Sequence, residues 1–362
     1  MGKSVKIAIF LLSMSFLGGC DSAELEQRSF PLAMGVDIQM QEPEENLVIT
    51  YDFPDLEQIS EKSKTADTPM GFSLEGKDLY HVEKSYENNT NRILDYNHLK
   101  TIIVSEENFG NMQKVRGLLE NWEDRPEVAR NISLFFTPKK AAGILTLTDK
   151  TEGSVGKYLE EMLESQKDFR ANKVATIGDL MNQWHNQDEL LLVPVLTDQG
   201  GQPAITQYGV ISDFEYVGDI SVEQAMEAFL SQNLLKHFSY ECEDGTVIEI
   251  SNIRVEQEIQ EKDGVPVVKT SLVGKGKISQ SVVLEDGEKY RLEKQVAEQL
   301  AFQLTKTANE LQETYGVDIT NSYITLGGHQ RELYKKYDNM PKTYGKSVRH
   351  VFQAEITILN FQ

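Results

Sequence analysis

The sequence predicts a multi-domain α+β protein with mixed α/β packing, in which a C-terminal antiparallel sheet is covered by one long helix. Two alternating segments, 247–259 and 265–278, flank Asp263-Gly264, a dipeptide that favours positive φ angles and therefore a hairpin. After them an apolar residue recurs every three or four positions from Leu292 to Tyr315, as on one face of a helix. In the first half, strand and helix patterns alternate, which is typical of a sheet with helices packed on it.

The first half contains four strand patterns and four helix patterns. The strands are expected at 47–53, 99–104, 132–136 and 190–196, and the helices at 78–94, 112–122, 154–166 and 177–184. The first helix is expected to direct Leu79, Val82, Tyr86 and Ile93 inward. Thr176-Ile177-Gly178-Asp179 can cap the last helix, and the polar residues 57–69 predict a loop.

The segment 197–203 contains Gly200-Gly201 and predicts a domain junction. Beyond it we expect a strand at 207–216 and a helix opened by the capping box Ser221-Val222-Glu223-Gln224. The remaining expectations are an irregular strand end or turn at 274–277, a further edge strand at 282–284, a helix at 288–315 closed by Gly316, and a last strand at 348–361. These patterns divide the chain into a leader (1–19), an N-terminal mixed α/β domain (20–199), a small middle domain (200–245) and a C-terminal domain (246–362).

The N-terminus has the three parts of a secretory leader. Lys3 and Lys6 precede an apolar run, 7–17, that ends in Gly18-Gly19-Cys20. The run is too short to cross a bilayer, because a spanning helix needs about 18 or more apolar residues. A cysteine directly after small residues indicates a bacterial lipobox, in which the Cys20 thiol is acylated and the chain is cut before it. The alternatives are an ordinary leader with a chance cysteine, or a short uncleaved anchor.

The charge of the chain disfavours binding to nucleic acid. The formal net charge is −21 over 362 residues, and removal of a leader with two lysines and no acidic residue would make it −23. A chain of this charge is repelled by phosphate backbones and by anionic lipid headgroups. We interpret the acidic residues as promoting solubility of the protein rather than as forming an acidic binding surface.

Residue patterns for catalysis and metal binding are not found in the sequence. The six histidines are scattered, and the two cysteines, Cys20 and Cys242, form no metal-binding pair. Gly274-Lys275-Gly276-Lys277 lacks the third glycine of a dinucleotide-binding loop. We therefore predict no catalytic residue, no metal site and no cofactor, and we expect Cys242 to be a buried small apolar residue. Since catalytic groups can also converge from distant positions, an envelope enzyme stays an alternative.

Several segments together resemble the Ger(x)C family, the lipoprotein C subunits of spore nutrient-germinant receptors. They lie in order along nearly the whole mature chain: Gly19–Leu25, Met34–Asp37, Asn97–Val104, Asp124–Arg130, Tyr216–Ser221, the helix 288–315 and Val317–Ile319. Two positions depart from the family pattern. Asp21 stands where a tryptophan usually follows the lipidated cysteine, and Thr320-Asn321-Ser322 replaces a segment rich in Phe and Gly.

The resemblance implies a three-domain, non-enzymatic lipoprotein on the outer face of the spore inner membrane, anchored through acylated (palmitate-type) Cys20. It implies two integral-membrane partners, the A- and B-type receptor subunits, one of which resembles an amino-acid transporter. No catalytic residue transfers from the family. A lipid-anchored solute-binding protein of a transporter is the alternative from another functional class.

Overall fold

The computed structural model describes residues 27–41, 44–54, 72–147, 154–165, 174–186, 190–242, 244–278, 285–337 and 341–359. Its strands are β1 Arg28–Ser29, β2 Ala33–Gln41, β3 Glu44–Asp52, β4 Phe72–Gly76, β5 Ile93–Leu94, β6 Thr101–Ser105, β7 Ser133–Thr137, β8 Leu191–Asp198, β9 Pro203–Ser212, β10 Glu215–Ser221, β11 His237–Glu241, β12 Val247–Lys262, β13 Val265–Ile278 and β14 Arg349–Ile358. Its helices are α1 Leu79–Thr90, α2 Glu106–Phe109, α3 Met112–Glu123, α4 Ala141–Leu145, α5 Val155–Ser165, α6 Ile177–Asn186, α7 Val222–Ser231, α8 Asp286–Tyr315, α9 Ser322–His329, α10 Arg331–Lys336 and α11 Pro341–Ser347. The predicted loop at 57–69 and edge strand at 282–284 lie outside the described residues.

An eight-stranded mixed sheet forms the first layer, in the order β10-β9-β8-β7-β6-β2-β3-β4. Its centre is parallel, from β2 through β6 and β7 to β8, and its two sides are antiparallel. The apolar faces of α1, α3 and α6 pack on one side of the sheet, and those of α4 and α5 on the other. Phe135 and Phe136 are therefore both buried although they point to opposite faces.

The second sheet has four strands in the order β11-β12-β13-β14. The hairpin is confirmed, since Asp263 and Gly264 have φ angles of 54° and 80°. The long helix α8 buries Val296, Leu300 and Leu304 against this sheet. The predicted fold class is thus confirmed, with one difference: β14 pairs parallel to β13. Because α8 carries the chain back along the whole sheet, the strand that follows it starts at the same end as β13.

Two local predictions, one at the end of α1 and one at β9, are wrong. Ile93 does not continue helix α1, because Asn91 ends the helix with a left-handed φ of 54°, and Ile93 lies in β5 with 45% of its surface exposed. The strand expected at 207–216 is the end of one strand, a turn and the start of the next. Asp213 and Phe214 make this turn with φ angles of 55° and 53°, without the glycine that usually marks it.

Gly274 and Gly276 lie inside the long strand β13 rather than at a strand end or in a turn. Gly276 pairs with both β12 and β14, whereas Gly274 pairs with β14 and lies beside a register shift in the pairing with β12, between Ser251 and Arg254. A Cβ atom on Gly274 would lie 2.9 Å from Cγ2 of Ile250, so the glycine is needed for close packing. The prediction at 274–277 is therefore wrong in placing a strand end or turn there, although the pairing with β12 is irregular beside Gly274.

The segment 200–245, expected as a middle domain, contributes to both sheets. Its strands β9 and β10 extend the first sheet, and β11 is an edge of the second. Gly200 and Gly201, with φ angles of 65° and 86°, lie in the turn between the antiparallel strands β8 and β9. The domain boundaries stay a prediction.

Candidate functional site at the junction between the two sheets

The predicted lipid-attachment residue, Cys20, lies outside the described residues. The other cysteine, Cys242, is a free thiol with 3% of its surface exposed. Burial raises the pKa of this thiol, with a smaller contribution from Asp244, and so disfavours the reactive thiolate. Cys242 belongs to the apolar core under the second sheet, as the sequence predicts.

Within the part of the chain that the structure describes, no group of three or more metal-ligating side chains occurs. A serine, an aspartate and a histidine do meet, but not in the order of a catalytic triad. Ser322 Oγ donates to Asp318 at 2.6 Å, whereas His350 Nε2 lies 3.6 Å from Asp318. All three residues are buried. Without a serine-to-histidine hydrogen bond, the histidine cannot take the serine proton.

The segment Met34–Asp37 positions helix α4. The carboxylate of Asp37 accepts hydrogen bonds from the backbone N–H groups of Ala141 and Ala142, at 2.7 and 3.0 Å. A Cβ atom on Gly35 would lie 3.0 Å from Ala141 Cβ, so this glycine lets the helix approach the sheet. The segment therefore has a structural role.

A second buried aspartate, Asp52, caps helix α5 in the same way. It accepts hydrogen bonds from Ser154 Oγ at 2.7 Å and from the Gly156 N–H at 2.8 Å. Burial raises the pKa of Asp52 to about 6, and the hydrogen bonds only partly offset this rise. Its sequence pattern gives no sign of this role, because Ser154 lies far away along the chain.

A partly buried polar network joins the segment at 124–130 to Tyr96, which directly precedes the segment at 97–104. The Arg125 guanidinium binds Glu83 with two hydrogen bonds, of which the longer is 3.1 Å. Tyr96 donates to Glu83 at 2.9 Å, and its hydroxyl lies 3.0 Å from that of Tyr51. The network ties α1 to the loop after α3. In the segment at 97–104, the His98 ring stacks edge-on against Phe30, with 5.1 Å between centroids.

The segment Tyr216–Ser221 joins the first sheet to the long helix. The strand register shifts between Tyr216 and Gly218, and Gly218 has a φ of 149°. A Cβ atom there would lie 2.6 Å from Cε1 of Tyr315, the last residue of α8. The Tyr315 hydroxyl donates to the carbonyl of Asp219 at 2.8 Å. Gly218 thus makes room for the ring that fixes the end of α8 on β10.

The residues that follow α8 complete the contact. We call Tyr315–Ser322 the junction segment. Its Asn321 accepts from the Leu190 N–H at 2.8 Å and donates to the Leu190 carbonyl at 3.3 Å. Gln232 donates to the Ile319 carbonyl at 2.9 Å, and Gln257 donates to the Thr320 carbonyl at 2.9 Å. The junction segment therefore contacts the first sheet, the end of α7 and the second sheet.

Asp318 holds the junction segment in shape. Its carboxylate accepts four hydrogen bonds, from the N–H and hydroxyl groups of Thr320 and Ser322, at 2.5 to 2.9 Å. The Ser322 hydroxyl also lies 2.7 Å from that of Tyr344 on α11. Burial lowers the pKa of the neighbouring His350, an effect that the charge of Asp318 opposes. Ordinary side chains make all these bonds, so only the resemblance at Tyr216–Ser221 and Val317–Ile319 pointed to this site.

Burial also perturbs ionisable groups at the Tyr315 end of the junction. It raises the pKa of Asp219, and a hydrogen bond from Tyr216 partly offsets this. The pKa of Tyr315 is also raised, by burial first and by the charge of Asp219 second. The contact between β10 and α8 is therefore partly shielded from solvent.

The comparisons with known proteins agree with this architecture. Residues 21–198 match the family model described as the spore germination protein N-terminal domain. The whole fold is similar to the solved structure described as the crystal structure of the GerBC protein, with a TM-score of 0.62 and 16% identity over 91% of this chain and 98% of that one. No curated protein matches the chain significantly.

The described helices include none that is both long enough and apolar enough to span a membrane. The family match covers the eight-stranded sheet as far as β8, and the similarity to GerBC extends over both sheets. Both findings agree with the ordered segments in the sequence. The chain therefore belongs to the Ger(x)C family of spore germination proteins.

Proposed function

We propose that this protein is the lipid-anchored C subunit of a nutrient germinant receptor, acting without catalysis on the outer face of the spore inner membrane. The observation that carries the proposal is the family match, whose first residue, 21, directly follows Cys20. The order of the lipobox and the germination domain is the order that a lipoprotein subunit requires. Two or more acyl chains on Cys20 would hold the body firmly at the membrane.

The role we propose for the body is to connect two integral-membrane partners, the A- and B-type subunits. Such a connector must be rigid, so that a movement of one partner is transmitted to the other and not lost as deformation of the connector. The two sheets suit this role because they share a core, in which Leu192 and Tyr208 of the first sheet belong to the same cluster as Ile250 of the second. The junction segment adds hydrogen bonds across the same boundary. Close-packed interiors have low compressibility and transmit strain.

The test is to purify the C-terminally tagged protein from detergent-solubilised spore membranes and to identify everything retained by mass spectrometry. We expect a Cys20 peptide that carries lipid, together with two polytopic membrane proteins. The matched control is Cys20→Ala, which changes the anchor and leaves the described body unaltered. This variant should be released from membranes, and spores that carry it should germinate poorly with nutrients.

Three results would contradict the proposal. The first is an N-terminus without lipid. The second is normal nutrient germination in spores that lack both this protein and any related receptor. The third is recovery of the lipoprotein without membrane partners under mild detergent. The last result, combined with saturable nutrient binding in calorimetry, would instead indicate a lipid-anchored solute-binding protein.

A further inference from the structure

The outer side of α8 carries a stripe of four exposed residues that the core does not use. Tyr290, Lys294, Glu298 and Phe302 follow one another at intervals of four and so lie on one ridge of the helix. Tyr290 and Phe302 are 68% and 70% exposed, the highest values among the large apolar residues that are exposed in the described chain. Lys294 and Glu298 form an exposed ion pair at 3.8 Å.

The stripe is complementary to itself when a second copy is reversed. Read from either end, the stripe begins with an aromatic ring, has two opposite charges in the middle and ends with an aromatic ring. If two copies of α8 pack antiparallel about a two-fold axis at the level of Val296, Tyr290 faces Phe302 of the other copy. In the same arrangement Lys294 of each copy faces Glu298 of the other, which gives two equivalent ion pairs. A two-fold dimer needs such a surface, because the same patch must match itself.

A groove beside the stripe provides room for the rings. A cavity of about 700 Å³ lies between α8 and the edge strand β14. Its lining includes the small side chains of Ala297 and Ala301 on the helix and of Ala354 on the strand, together with Tyr290 itself. An aromatic ring from a second copy could pack over these alanines without displacing a core residue. The charged pair at the centre sets the direction of the partner helix.

We propose that this stripe, with its groove, is the interface of a homodimer in which two copies of α8 pack antiparallel. Contact along one ridge places the four residues over about three helical turns. An interface of this length is at the small end of the range for specific complexes, so the dimer is weak and concentration-dependent. The inference does not depend on the proposed receptor function or on the lipid anchor.

The test is sedimentation equilibrium of the full-chain protein in density-matched detergent, at concentrations up to about 100 μM, where weak dimers are populated. Each single reversal, K294E or E298K, should raise the dimer Kd about tenfold or more, because it places like charges opposite each other at two symmetric positions. The double variant K294E/E298K restores both opposite-charge contacts and should recover most of the dimer. F302A should also weaken the dimer while leaving the core intact.

Lys157 on α5 provides the matched control. It forms an exposed ion pair with Glu161 at 3.5 Å at the same helical spacing. K157E should leave the dimer unchanged. A wild-type chain that stays monomeric over the whole concentration range would overturn the proposal. It would instead favour a different protein as the partner that binds the stripe. A dimer that K294E leaves unchanged, or that the double variant does not recover, would overturn it as well.

Discussion

The contact between Gly218 and Tyr315 allows a sharp test of the junction. We predict that Gly218→Ala destabilises the protein by roughly 2 to 4 kcal/mol. A φ of 149° is strained for alanine, which contributes about 1 to 3 kcal/mol. The new Cβ atom would lie 2.6 Å from Cε1 of Tyr315, so the ring must move. That movement breaks its hydrogen bond to the Asp219 carbonyl, which is worth about 1 kcal/mol.

The measurement is denaturant unfolding followed by tryptophan fluorescence, with Gly245→Ala as the control. Gly245 has a positive φ of 83°, but no atom lies within 4 Å of a Cβ placed there, so its variant measures backbone strain without a clash. Tyr315→Ala removes the clash partner. In that background Gly218→Ala should be less destabilising by about 1 kcal/mol or more. An equal effect of Gly218→Ala in both backgrounds, or an effect no larger than that of Gly245→Ala, would refute the reasoning.

Three further predictions concern the Asp52 cap, the Arg125–Glu83 ion pair and the interior of helix α4. Burial raises the pKa of Asp52 from 3.8 to about 6, so between these pH values the Asp52 carboxyl binds a proton more tightly in the folded state than in the unfolded chain. This proton binding stabilises the folded protein at low pH, and the stabilisation is lost as the pH rises from about 4 through 6. Asp52→Asn removes this pH dependence. The difference in unfolding free energy, variant minus wild type, should therefore rise by up to about 3 kcal/mol between pH 4 and pH 7. Urea titrations that give the same difference at both pH values would contradict the prediction. Arg125→Ala leaves the partly buried Glu83 without its partner and should lower the unfolding free energy by about 2 kcal/mol, whereas a change below about 0.5 kcal/mol would show that solvent replaces the arginine. Gly143→Ala, on α4 where a Cβ meets no atom within 4 Å, should raise the stability by about 0.5 kcal/mol or more, and thermal unfolding that shows a lower midpoint would exclude this.

The long helix and its neighbours show which features could be predicted from the sequence. Apolar spacing identified the buried side of α8, since Val296, Leu300 and Leu304 lie in the core. The capping box at Ser221 and Gln224 was also confirmed, because both of its reciprocal hydrogen bonds are present. Such features depend on residues within a few positions of each other, so the chain by itself is enough to define them.

The junction could not be predicted in this way. Gly218 and Tyr315, or Asn321 and Leu190, are distant in the chain, and nothing in either segment specifies its partner. The turn at Asp213-Phe214 was missed for a related reason, since a positive φ is unusual for a bulky residue such as Phe214, which is buried in the core.

The sequence by itself determined the fold class, the long covering helix, the hairpin at Asp263-Gly264 and the resemblance to the Ger(x)C family. Only the tertiary structure decided that β14 runs parallel to β13 and that Asp37 and Asp52 cap helices far along the chain. It also showed how the two sheets share one boundary. The physical reason is that periodicity and capping are local properties of a chain, whereas strand order, burial of charge and contacts between domains depend on which surfaces meet after folding.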